Sequence, residues 1–296
     1  MKSYVGLLIG FSALALSLSA TAQDAIAKKP EGGPPPLGIH WAKGIKPAGP
    51  GGRSPLMLWH NGPILTSSAV QVIYWGTSWG NTGFVGDKIN GLTSWYTGFS
   101  GSNYAKTSDE YTGTNGQVGA TNTLGSDVID LSPAGSGAKT STILAEVCRK
   151  ITNPVANGYY PVYVDLPRGH AGYCAYHSWG TCGSTNVQFA FFWNLDGDPG
   201  CDPQDTSGLH SQGLAALANV SGHELSEART DPTGSGWYDS RGAENGDKCA
   251  WTFNVPLITF SNRSQWKIQG EWSNAAYNAG TGYPNSSGQD GCLDGH

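Results

Sequence analysis

Six cysteines, Cys148, Cys174, Cys182, Cys201, Cys249 and Cys292, constrain this chain more than any other feature. An even number in an exported chain favours three disulfides over free thiols. No two of them form a C-x-x-C pair, which argues against a cysteine zinc site or a thioredoxin-type redox role. Six cysteines allow fifteen connectivities. Proximity favours Cys174–Cys182, and Cys249–Cys292 would clamp the C-terminus.

The expectation of disulfides rests on export, and the N-terminus supplies the argument for it. Lys2 is followed by an apolar run over 4–18, and Ala20-Thr21-Ala22 precedes Gln23. A positive start, an apolar core and a small-x-small cut make a secretory signal, predicted to be residues 1–22. The rival is a membrane anchor, but the apolar core is short for a bilayer. Residues 23–57 contain Gly32 to Pro36 and Pro47 to Gly52, runs of glycine and proline. Proline lacks an amide donor and glycine loses much entropy on ordering, so this stretch is expected to be a linker or pro-region that packs no core. Residues 58–296 are long enough for one domain.

Only 13% of the residues are charged, the formal charge is −5, and no basic run occurs. Nucleic-acid partners are therefore not expected, nor is a membrane once the signal is cut. The predicted location is secreted, either extracellular or periplasmic.

Residues 68–75 are β-branched and aromatic and read as a strand. Residues 87–99 and 140–151 carry apolar groups at helical spacing. Strands are expected over 159–166 and 186–193, with shorter pieces near Tyr104, Val128, 251–253 and 266–272. The longest helical pattern, 209–230, ends at Asp231-Pro232, where the residue before proline is pushed out of the helical region. This order suits an α+β domain with a sheet backed by helices.

The long helix carries the chemistry. His223-Glu224-Leu225-Ser226-Glu227 places His223 and Glu227 four residues apart, on one helix face. They can converge on a divalent metal, with Glu224 beside them to reach a water. This is the H-E-x-x-H geometry of zinc proteases with a carboxylate for the second histidine, an acceptable exchange because zinc takes oxygen ligands. The small apolar turn before it, Leu214 to Val220, sends the helix into a core. Glu244 and Asp247, about twenty residues on, are candidate third ligands. The competing reading is an exposed helix end, with Glu224 and Glu227 in water and Arg229 paired to one of them. His177 is a candidate extra ligand or proton donor. Asp196-Gly-Asp198-Pro-Gly-Cys-Asp202 has oxygens for calcium, although a plain turn explains it better.

Several segments together resemble the exordium-like, phosphate-induced protein family, and its bacterial branch most. They are His60-Asn-Gly-Pro63, Cys174-Ala-Tyr-His177, Ser221 to Ala228 with Thr230-Asp-Pro232, Gly236-Trp-Tyr-Asp239, Glu244 to Trp251, and Glu271-Trp-Ser-Asn274. The resemblance implies a zincin-like lobe: a mixed sheet packed on helices, the H-E-x-x-E helix as active-site helix, and a loop-rich disulfide-bonded C-terminal part. The chain departs from the family pattern by extra residues between Asn274 and Cys292.

Two functions follow. The first is a secreted zinc metallopeptidase acting on a peptide or cell-wall-associated substrate. In it His223 and Glu227 ligate zinc, Asp247 or Glu244 is the third ligand, Glu224 takes a proton from water, and His177 helps stabilise the oxyanion. The second is a non-catalytic cell-wall binding or signalling protein, in which Trp75, Trp79, Trp95 and Trp237 would stack on sugars or peptides. A glycosidase is less apt, because Glu224 and Glu227 share one helix rather than facing each other across a sugar.

Overall fold

A computed structural model of the 296-residue chain describes Met1 and residues 32–45 and 54–295. The signal segment expected over 1–22 lies, apart from Met1, outside the described residues.

The core is an eight-stranded mixed sheet. Its strands are β1 (Ile39–Trp41), β2 (Ser68–Val70), β3 (Ile73–Trp75), β4 (Asn122–Leu124), β5 (Val128–Asp130), β6 (Gly158–Pro167), β7 (Tyr173–Cys182) and β8 (Thr185–Asn194). Across the sheet the order is β1-β7-β8-β6-β2-β4. β3 pairs with β6 and β5. β1/β7 and β7/β8 are antiparallel, while β6 runs parallel to β8, β2 and β3. The long strands β6 and β8 are buried along most of their length. Strands in a sheet covered on both faces read as near-continuous apolar runs. Tyr-Tyr-Pro-Val-Tyr-Val in β6 and Val-Gln-Phe-Ala-Phe-Phe-Trp in β8 fit that description.

Three helices matter for the site: α1 (Lys88–Phe99), α2 (Thr140–Lys150) and α3 (Gln212–Thr230). Ser211 caps α3, its hydroxyl accepting from the Leu214 amide at 3.2 Å. At the other end Asp231 leaves the helix before Pro232, and its Oδ1 accepts from the Gly236 amide at 2.7 Å, so Asp231 builds the turn. Every residue of α3 from Gly213 to Thr230 is buried. A helix buried all round must lie inside the molecule. Small residues permit this: a Cβ on Gly91 of α1 would overlap Leu214, and one on Gly222 would lie 3.0 Å from the Tyr104 hydroxyl.

Three disulfides join Cys148–Cys182, Cys174–Cys201 and Cys249–Cys292. The expected clamp at Cys249–Cys292 is present. The pairing expected between Cys174 and Cys182 is not. Both lie on β7, and eight residues of extended chain hold them about 26 Å apart.

The expectation that 23–57 packs no core is corrected for its later part. Leu37-Gly-Ile-His-Trp-Ala alternates like a strand, and Ile39, His40 and Ala42 are buried. The long run over 173–182 was not read as a strand from sequence, yet it is β7. Tyr104 precedes a short 3-10 turn (Ala105–Ser108) instead of lying in a strand. No strand forms at 251–253, where Trp251 has a φ of 59°. The extra residues after Asn274 fold into a helix (Asn274–Ala279) and two strands, Tyr283–Pro284 and Asp290–Leu293. The second of these also pairs with Glu271–Trp272.

Trp75, Trp79 and Trp95 are core residues, which removes them as stacking platforms. Trp237 is half-buried and Trp59, 40% exposed, pairs with it in a small two-stranded sheet.

Candidate metal centre

The last turns of α3 carry His223, Glu224 and Glu227 into the interior, where all three side chains are fully buried. An exposed helix end is therefore excluded. Arg229 pairs with neither glutamate; it donates to the carbonyls of Gly119 and Ala105, each at 2.7 Å by its Nη2.

Glu227 is the hub. Its Oε1 lies 3.0 Å from His223 Nε2, as the i,i+4 spacing on α3 demands. Its Oε2 lies 3.7 Å from Nε2 of His177, which enters from the middle of β7. Donor atoms of His223, Glu227 and Asp247 all fall within 4.8 Å of one another, as do those of His177, Glu224 and Glu227. The two groups share Glu227.

Asp247 and Glu244 come from a short helix (Asn245–Lys248) that closes a capping box between them. Glu244 Oε2 is 3.3 Å from His177 Nε2, and Asp247 Oδ1 is 3.9 Å from His223 Nε2. The Asp247 amide donates to Glu227 Oε1 at 2.9 Å. Cys249–Cys292 fixes this turn to the C-terminal sheet. Gly246 permits the close fit: a Cβ there would stand 2.9 Å from His223 Nδ1 and 3.0 Å from Glu227 Oε1. The fold thus brings together all six residues picked from sequence, His177, His223, Glu224, Glu227, Glu244 and Asp247.

Two further residues escaped the sequence reading. Gln269 reaches from after the Gln265–Trp266 strand; its Nε2 donates to the Gly246 carbonyl at 2.8 Å and sits 3.2 Å from His223 Nδ1, which orients that ring. His40, on β1, packs edge-on against the His223 ring with centroids 4.3 Å apart. Its amide donates to Glu224 Oε1 at 3.3 Å. The alternation over 37–42 was the one available signal for His40, and the surrounding prolines and glycines hid it.

Burial dominates the electrostatics. It pushes the carboxyls of Glu224, Glu227 and Glu244 well above the usual carboxylate range. Their mutual repulsion adds to this at Glu224 and Glu244, while the Asp247 amide works against it at Glu227. Burial, then the neighbouring His223, lowers His177 to about 3. Burial lowers His223 to about 4, against the pull of Asp247 and Gln269. Neutral imidazoles therefore face a cluster of carboxyl groups.

The fit to a metal can be tested on unsatisfied atoms. His177 Nε2, His223 Nε2, Glu224 Oε2, Glu227 Oε2 and Glu244 Oε2 are buried and make no hydrogen bond among the described residues. Leaving even one such atom unpaired costs about 1–3 kcal/mol. Five gathered in one place fit a divalent cation, and imidazole with carboxylate is a donor set that zinc accepts.

The acidic loop considered for calcium is differently engaged. Asp196 pairs with Lys88 at 2.6 Å, and Asp198 holds Arg168 through two bonds, at 2.5 and 2.8 Å. It is a turn secured by ion pairs.

The chain matches no protein-family model, and no curated protein matches it.

Proposed function

We propose that this protein is an exported, zinc-dependent hydrolase that cleaves peptide bonds, in a zincin-like lobe of the exordium-like type. The observation that carries the reading is the convergence of buried His223, Glu227 and His177 on Asp247 and Glu244, with Glu224 next along the helix. Export through a signal cut after Ala22 is part of the proposal. It is supported by three disulfides, and among the described residues no helix is long and apolar enough to cross a membrane.

His223 and Glu227 would hold zinc, with Asp247 or Glu244 completing the set and His177 facing them from β7. When bound, the metal supplies Lewis acidity toward water and a substrate carbonyl. Glu224 is the proton acceptor. Its Oε2 is unpaired, and burial, then the repulsion of Glu227 and Asp247, raises its affinity for a proton, as a general base requires. His177, held neutral, can donate or accept at Nε2 beside the developing charge.

Elemental analysis of the secreted protein beside His223→Ala tests the metal. About one zinc per chain, lost in the variant, is expected. A peptide-library screen with Glu224→Gln then tests the chemistry, and this variant should keep the metal and the fold but lose turnover. Metal-free protein that refuses added zinc would refute the reading. It would favour instead a non-catalytic extracellular cell-wall binding or signalling protein, a reading to which the burial of His177, His223, Glu224, Glu227 and Glu244 lends support.

A further inference from the structure

Part of the cover over the site is the chain's own N-terminal segment. β1 forms an antiparallel edge on β7, pairing Ile39 with Tyr176 and His40 with Ala175. The pairing extends backward to the histidine of the site. The Leu37 amide donates to the His177 carbonyl at 3.0 Å, and the His177 amide donates to the Gly38 carbonyl at 3.2 Å. Upstream the backbone stays attached through its carbonyls. Pro35 accepts from the Ser178 hydroxyl at 2.8 Å and Pro34 from the Thr140 hydroxyl at 2.6 Å. Downstream the Trp41 carbonyl accepts from Trp251 Nε1 at 2.8 Å. This is strand addition to a sheet edge, in which main-chain bonds carry the recognition.

Gly38 passes directly over the acidic hub. A Cβ there would overlap Glu227 Oε2 and lie 2.7 Å from His177 Cδ2. Two residues on, the His40 amide occupies Glu224 Oε1. The Gly38 carbonyl is turned toward β7 by its bond to His177. The segment thus fills the space that a substrate needs and engages the base. No covalent bond beyond the chain itself holds it, because the first cysteine is Cys148.

We propose that residues 34–42 are a tethered occupant of a peptide-binding edge, that the natural ligand of this edge is an extended polypeptide laid antiparallel to β7, and that the site opens when the segment is cut free or displaced. The proposal rests on reading the site as a peptide hydrolase for its catalytic consequence, and on β7 alone for its binding consequence.

The test uses the full secreted chain with residues 47–52 replaced by the recognition sequence of a site-specific protease. After cleavage, a fluorescent peptide of residues 32–45 is added, and polarisation follows its exchange with the resident segment. Saturable exchange is expected with and without zinc, at least tenfold weaker for a Gly38→Val peptide. Cleaved, zinc-loaded protein should hydrolyse library peptides at least tenfold faster than uncut protein, with added 32–45 peptide suppressing the gain. Exchange without any hydrolysis would uphold the tethered occupant and sink the hydrolase reading. If the cut segment never exchanges, or leaves only as near-UV dichroism collapses, it is a structural strand and the proposal is overturned. Uncut Gly38→Val gives an independent reading: a chelator should strip zinc from it at least tenfold faster than from wild type. Equal stripping from folded protein overturns the proposal too.

Discussion

Zinc added to the metal-stripped protein at pH 7.5 should raise its melting temperature by about 5–11 °C, and the gain should shrink as the pH falls. The size follows from linkage. A ligand at a hundred times its Kd stabilises by about 2.7 kcal/mol. A domain of this length gains about 2–4 °C per kcal/mol. The pH dependence follows from the site. His177 and His223, lowered to about 3 and 4, are neutral above pH 5.5 and each offers a metal one ring lone pair. Glu224, Glu227 and Glu244 are raised well above the usual range, so protons compete with the metal for them more strongly as the pH falls. Their folded pKa values exceed the unfolded value of about 4.3, so the metal-free fold binds more protons than the unfolded chain. That contribution to stability is complete below the unfolded pKa and is lost as pH rises through the folded values. The buried histidines act in the opposite sense: His40, His177 and His223 are lowered in the fold, so the unfolded chain takes up their protons below its ordinary value of about 6.5, and stability from that source is regained as the pH rises to 7.5. The metal-free curve sums the two, and the zinc increment, read at each pH against it, carries the test. Scanning calorimetry at pH 5.5, 6.5 and 7.5, wild type beside His223→Ala, measures both curves. An increment that does not change with pH, or one equally large in His223→Ala, would refute the reasoning.

Cys249→Ser with Cys292→Ser should cost about 4 kcal/mol in urea unfolding, since the bridge closes a separation of 43 residues, and should also weaken zinc retention because Asp247 and Glu244 lose their anchor. Unchanged zinc content in the folded double variant would contradict the second half. Arg229→Met removes the donors of the buried Ala105 carbonyl and the half-buried Gly119 carbonyl and should destabilise by about 1–3 kcal/mol; a loss below about 0.5 kcal/mol would mean water replaces the guanidinium. Gly246→Ala should lower zinc affinity about tenfold, by titration calorimetry, with the far-UV spectrum unchanged, because its Cβ must displace His223 or Glu227.

Elements with a strong local period were legible. The helix expected over 87–99 is Lys88–Phe99, the one over 140–151 is Thr140–Lys150, and the strands over 159–166 and 186–193 are the cores of longer ones. Periodicity failed at β7 and around Trp251. β7 takes its place from β8 and from β1, the latter more than 130 residues away, and the region around Trp251 bends through a left-handed residue that no pattern announces. Among cysteines, nearness in sequence misled because an extended strand keeps Cys174 and Cys182 apart.

The site divides in the same way. The sequence by itself determined that His223 and Glu227 share a helix face, with Glu224 beside them, because a spacing of four residues on a helix is a local geometric fact. It also offered His177, Glu244 and Asp247 as candidates, without a distance between any of them. Only the tertiary structure decided that these groups meet, that all but Asp247 are buried, and that His40, Gly38 and Gln269 close over them. Those contacts join residues up to 229 positions apart, and no local propensity encodes them. They exist because a helix buried on every side has to pass beneath the sheet, where β7 and the strand paired to its edge form the roof.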